Sequence, residues 1–271
     1  MRIFISILII ANYFTYKSIL SYTDKLNVTY LDVGNSNSCL MDLPRDFSIL
    51  VNAGTSSIKY CSAERNVIPY LKLKGENKID ILCISSLNID EFRNLLYLVG
   101  HFQVNKIYIR EAYRCLLEDT RFDKIFSKSI ITYIDTPFVI NENPDIRLFL
   151  IPDKNSLKTM SIDCIYGTQR FAFTDSKVKE NEINLNFNGN LRTSVLKVPA
   201  FGSFGLVSPE FIVKANPDNV VISSGKEKKR FNSDVFEKSL EEIGIEVIKI
   251  SNKGAVIFES DGEETHRVDW N

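Results

Sequence analysis

Residues 27–33 (NVTYLDV) alternate apolar and polar side chains, the period-two pattern of a half-buried strand, until Gly34-Asn35-Ser36-Asn37 turns the chain. Residues 47–51 (FSILV) predict a second strand stopped by Asn52-Ala53-Gly54, and residues 79–84 (IDILCI) a buried one. Residues 62–74 predict a helix that Pro69 kinks or begins, and residues 89–101 a second helix. Later strands are expected at 106–110, 130–134, 146–151, 161–166, 170–174, 193–198 and 220–223. Ser208-Pro209 opens a helix as N-cap and first helical residue, and Ser233-Asp234 opens another. Residues 246–250 and 255–259 flank Ser251-Asn252-Lys253-Gly254, which reads as a hairpin. Strands in two batches with interleaved helices predict an α/β or α+β layered fold, two mixed sheets between helices in one domain.

The N-terminus follows another pattern. Met1-Arg2 precede an uncharged apolar run, residues 3–14 (IFISILIIANYF), shorter than the roughly 20 residues of a transmembrane helix. A cationic start and short apolar core fit an uncleaved anchor, a cleaved signal or a buried hydrophobic element. Residues 1–24 are therefore expected to be a signal or membrane anchor and residues 25–271 the folded domain.

Composition narrows the choice of function. Hydrophobic residues make up 44% and charged residues 25% of 271, a globular balance that excludes disordered, collagen-like and polytopic membrane classes. Lys+Arg is 33 against Asp+Glu 34, so no net charge draws the chain as a whole to nucleic acid. Two histidines leave little material for a histidine-rich metal site. Cys39, Cys61, Cys83, Cys115 and Cys164 form no C-x-x-C pair and are odd in number, which predicts buried thiols that pack as small hydrophobes.

Several stretches, in order, resemble one family. Residues 30–38 (YLDVGNSNS), Leu50-Val51-Asn52-Ala53-Gly54, Val67-Ile68-Pro69-Tyr70-Leu71, Ile79-Asp80-Ile81-Leu82 and Lys197-Val198-Pro199-Ala200-Phe201-Gly202-Ser203 are similar to motifs of the soluble metallo-β-lactamase-fold domain of the ComEC-type DNA-uptake (competence) family. Ser208-Pro209-Glu210-Phe211 and Asn216-Pro217 continue the match, which covers the chain from about residue 26 onward. The resemblance implies an αββα sandwich and an extracytoplasmic position, membrane-anchored or secreted, in a bacterial envelope.

The same resemblance exposes departures. The family's His-x-His-x-Asp-His loop, a later His pair, a bridging Asp and a final His bind two metals that activate water. Here Ser86, Asn88 and Glu91 stand at the loop's histidines and Asp90 alone matches; Ala200 and Phe201 stand at the later pair. Asp175 matches the bridging Asp, and no histidine falls near residues 230–232. His101 and His266 are expected on the surface or in packing. The catalytic set is therefore expected to be absent, with no cofactor.

Two readings of the loop remain. Asn88-Ile89-Asp90-Glu91 fits a capping box, with Asp90 favourable to the helix dipole. Alternatively Asp90, Glu91 and Asp175 form an all-oxygen site for Mg²⁺ or Mn²⁺ in a divergent hydrolase or nuclease. Lys226, Lys228, Lys229 and Arg230 form a basic run that could contact phosphates, with Phe201, Phe204 and Phe231 as stacking faces; a solvated charged loop is the plainer reading. The expected function is a non-catalytic relative of the competence domain that binds single-stranded DNA or a competence-machinery protein and associates with membrane through its N-terminus.

Overall fold

The computed structural model describes residues 12, 25–154, 156–174, 192–198, 207, 209–223 and 233–268. Among the described residues, strands β1 (Leu26–Tyr30), β2 (Cys39–Leu43), β3 (Phe47–Val51), β4 (Lys78–Ile84), β5 (Gln103–Arg110), β6 (Ile130–Ile134), β14 (Val256–Ser260) and β15 (Thr265–Val268) form one sheet. Its order is β15-β14-β1-β2-β3-β4-β5-β6. The second sheet, ordered β13-β12-β11-β10-β9-β8-β7, is built from β7 (Phe138–Ile140), β8 (Ile146–Pro152), β9 (Met160–Tyr166), β10 (Gln169–Phe173), β11 (Thr193–Lys197), β12 (Pro217–Ile222) and β13 (Glu246–Lys249). Each sheet is parallel at one side, β3 to β6 and β10 to β13, and antiparallel at the other. Parallel strands need crossovers, and among the described residues helices supply those from β3 to β6 and from β11 to β13.

Side-chain alternation divides the core into layers. Val28, Tyr30, Met41, Ile49, Ile81 and Cys83 from the first sheet meet Leu148, Ile162, Cys164, Phe171, Val195 and Val221 from the second. The opposite faces bind helices. Helices α1 (Ile68–Leu73) and α2 (Ile89–His101) cover Leu50, Leu82 and Ile107. Helices α3 (Pro209–Ala215) and α4 (Ser233–Glu241) cover Leu196, Val220 and Ile222. Because β4 is buried on both faces beyond Lys78, residues 79–84 form an apolar run broken only by Asp80.

Local chemistry fixes the helices. α2 buries Phe92, Leu95 and Leu98 at helical spacing, and Asn88 caps it by accepting from Asp90 N and Glu91 N. The π-helical turn Ala63–Val67 leads into α1 just before Pro69, whose ring would clash with the carbonyl four residues back; the wider turn relieves that contact.

The expected hairpin over 246–259 is corrected. β13 pairs in parallel with β12 in the second sheet, whereas β14 pairs with β1 and β15 in the first. The intervening Ile250–Lys253 helical turn and Gly254, at φ 73°, carry the chain from one sheet to the other. The true hairpin joins β14 to β15. Its turn touches the β9–β10 turn: Thr168 N donates to Gly262 O at 2.7 Å, and a Cβ on Gly167 would lie 2.3 Å from that oxygen. This contact clasps the two sheets at one end.

The cysteine expectation is partly corrected. Cys39, Cys83 and Cys164 are buried between the sheets, but Cys61 is half-buried and Cys115 exposed. Most of the N-terminal segment, Asp175, Ala200, Phe201, Phe204, residues 226–230 and Phe231 lie outside the described residues. Among the described residues no helix is long and apolar enough to cross a membrane.

Candidate functional site

The carboxyl ends of β1, β3, β4, β10, β11 and β12 meet at the end of the sandwich away from the clasp. In open α/β sheets this is where ligands are held. A small cavity lies there, with room for about one water-sized group. Tyr30, Asn37, Cys39 and Asn52 line it from the first sheet, and Phe173, Thr174, Lys197 and Ser223 from the second.

The loops on the first-sheet side are knitted by hydrogen bonds. Asn52 sits at φ 58°, a left-handed conformation that asparagine tolerates better than most residues. Its Oδ1 accepts Ser85 N at 2.9 Å and its Nδ2 donates to Ser85 Oγ at 2.7 Å. Ser38 Oγ donates to Asn52 O at 3.2 Å, and Gly54 N to Asn37 O at 2.9 Å. Asn94, buried in α2, accepts Ala63 N at 2.9 Å and donates to Ala53 O, fastening this loop to the helix.

On the second-sheet side, Lys197 points into the apolar layer, 4% exposed, with Phe173 and Val221 as its strand neighbours. Its Nζ donates to Thr174 O at 3.2 Å, while Thr174 Oγ1 donates to Lys197 O at 2.7 Å. Tyr30 faces it from β1, its ring stacked on Phe173 at 5.7 Å between centroids. Burial, then the neighbouring Cys39, pushes the Tyr30 hydroxyl well above its ordinary range. Burial likewise raises the Cys39 thiol, with Lys197 opposing weakly, so this cysteine is held as a thiol and not as a nucleophilic thiolate.

Of the candidate residues singled out in the sequence, Ser86, Asn88, Asp90, Glu91, His101 and His266 are described, and none of them lines the cavity. The Asn88–Glu91 capping box is present: Asn88 Oδ1 accepts two backbone N–H groups, and Glu91 Oε2 accepts Asn88 N at 2.9 Å. Glu91 Oε1 accepts Ser36 Oγ at 3.1 Å. Asp90 is half-buried and pairs with Arg93 at 3.1 Å. Ser86 lies in the loop between β4 and α2. His101 stacks on Tyr97, and exposed His266 lies 3.2 Å from Glu264. The sequence reading assigned no role to Tyr30, Asn52 or Lys197. The available signal was a lysine directly after the apolar pair Val195-Leu196 in β11.

The layered fold and its site at the strand ends define the class: the chain has the metallo-β-lactamase fold. It is similar to YhfI, a metallo-β-lactamase-fold protein from Bacillus subtilis, with a TM-score of 0.61 and 14% identity over 88% of this chain and 100% of that one. CmlA, a diiron β-hydroxylase from Streptomyces venezuelae, superposes at TM-score 0.58 and 11% identity over 90% and 54%. Zn²⁺-bound PqqB from Methylobacterium extorquens superposes at 0.53 and 11% over 79% and 85%.

In sequence, the chain is 24% identical over 230 residues to ComE operon protein 3 of Bacillus subtilis (strain 168), covering 73% of this chain. It spans 28% of that relative's length. No family model matches the chain.

Iron and zinc belong to those neighbours. The described residues of this chain do not supply the ligands of a dinuclear centre. Among the described residues no three His, Cys, Asp or Glu side chains are placed to hold an ion. Asn88 and Glu91 are engaged in the helix cap, and the charged group among the described residues lining the cavity is a cation, Lys197. An ammonium raises the cost of bringing a metal cation alongside it.

Proposed function

We propose that this chain is a non-catalytic metallo-β-lactamase-fold binding protein of the bacterial envelope, engaging single-stranded nucleic acid or a protein of the competence machinery. The observation that supports it is the use of the motif loop as a helix cap: the Asn88 oxygen and both Glu91 oxygens are committed to hydrogen bonds that hold α2. A metallohydrolase of this fold needs metal-bound water of lowered pKa, and groups so engaged are poor ligands for the metal. The similarity to ComE operon protein 3 supports a competence role. The basic run Lys226, Lys228, Lys229 and Arg230 supports a nucleic-acid partner. Residues 1–24 act as signal or anchor, and residues 25–271 as the binding domain.

The test is a single-stranded oligonucleotide incubated with the full chain in Mg²⁺, Mn²⁺ or Zn²⁺. No cleavage is expected, with salt-dependent binding that changing Lys228 and Lys229 to Glu removes. Metal-dependent cleavage abolished by Asp175→Ala would overturn the reading.

A further inference from the structure

We propose that the cavity between the sheets is an oxyanion site, in which Lys197 Nζ and Tyr30 Oη take one oxygen of a phosphate or carboxylate group. Lys197 is carried by an interior-facing position of β11, between Phe173 and Val221, where an ammonium is costly unless polar or anionic groups surround it. Thr174 O is one such group. Tyr30 approaches from the opposite sheet, 1% exposed and fixed by Phe173 and Phe258 against its ring. Its Oη has no hydrogen-bond partner among the described residues, an uncommon condition for a buried hydroxyl.

Charge and size choose the ligand. Lys197 supplies the charge among the described lining residues, and Asn37, Ser38, Ser85 and Ser223 add neutral polar groups, so the field favours an anion. The cavity has room for about one water-sized group, which admits a single oxygen and excludes the interior of a polymer chain. The ligand is therefore a terminal phosphate or a carboxylate. No bond is made or broken. The proposal rests on the cavity being a binding site rather than a metal centre, and it is independent of residues 226–230.

Inorganic phosphate and acetate are titrated separately into the full chain by calorimetry, with circular dichroism confirming the fold of each variant. Saturable binding at millimolar concentration or tighter is expected, about tenfold weaker in Tyr30→Phe, which keeps the ring and removes the hydroxyl. Lys197→Met is expected to abolish it. Binding of phosphate alone identifies a phosphoryl source, and of acetate alone a carboxylate. Saturation by neither anion, or unchanged affinity in a folded Tyr30→Phe protein, overturns the proposal. Phosphate binding retained when Lys228 and Lys229 are Glu, with DNA binding lost, separates this site from the basic run. Stoichiometric zinc or manganese in the purified chain would refute the non-metal reading on its own.

Discussion

Asn52 holds Ser85 by both ends of its amide, accepting the backbone N–H at 2.9 Å and donating to the hydroxyl at 2.7 Å. The two residues end adjacent parallel strands, so this pair sets the spacing of the loops that frame the cavity. Asn52→Ala strands the fully buried Ser85 N–H and places a residue with a Cβ at φ 58° without asparagine's local compensation. A loss of about 2–3 kcal/mol is expected from urea denaturation. Asn52→Gly, which relieves the backbone strain but not the missing bonds, should recover part of it.

Gly54 tests the same loop by crowding. At φ 82°, an added Cβ would lie 2.2 Å from Ser62 Oγ and 2.9 Å from Val33 Cβ. Ser62 Oγ cannot yield freely, since it accepts Thr55 N and donates to Thr55 O, both at 2.8 Å. Gly54→Ala is expected to destabilise by about 2–4 kcal/mol in the same assay. A variant as stable as the parent would contradict this packing.

Glu76 predicts a pH dependence. Burial, and then a hydrogen bond to Asp42, push its carboxyl from the usual 4.5 to about 8, with Asp46 and Asp80 adding repulsion. The native state thus keeps a proton that the unfolded chain releases near 4.5. This contribution is fully present below 4.5, declines between 4.5 and about 8, and is constant above. Lys74 and Lys78 pair with Asp42 and Asp80, at 4.0 and 2.6 Å. Glu76→Gln should raise the melting temperature at about pH 9 and change it little at about pH 4. Equal shifts at both pH values would count against the coupling.

The capping box makes a smaller prediction. Asn88→Ala removes the acceptor for Asp90 N and Glu91 N, and should cost about 1 kcal/mol. Glu91→Gln keeps the hydrogen-bonded shape and should cost less. If Asp90 and Glu91 held a cation instead, added Mn²⁺ would raise the parent's melting temperature and not that of Glu91→Gln.

Much of the architecture was legible because the signals were local. α2 was read to its ends, since its apolar spacing and Asn-x-x-Glu cap lie in adjacent turns. The 246–259 hairpin was misread because Ser-Asn-Lys-Gly reports that the chain turns, not which sheet receives the next strand. β2, β7 and β15 went unread; β7 and β15 are only 3 and 4 residues long, too short for a period to stand out. The cavity was harder still. Tyr30 and Lys197 look like ordinary strand residues until the two sheets close, and only then do a phenol and an ammonium share one space.

One pairing governs when this protein can become itself. β1 lies between β2 and β14, and Leu26 is matched to Ser260 across almost the whole chain. During synthesis the outer edge of β1 therefore stays open until the far end emerges, exposing unsatisfied backbone groups to any neighbouring strand. Such long-range closure is slow, and the nascent chain is most vulnerable to clumping just before β14 docks.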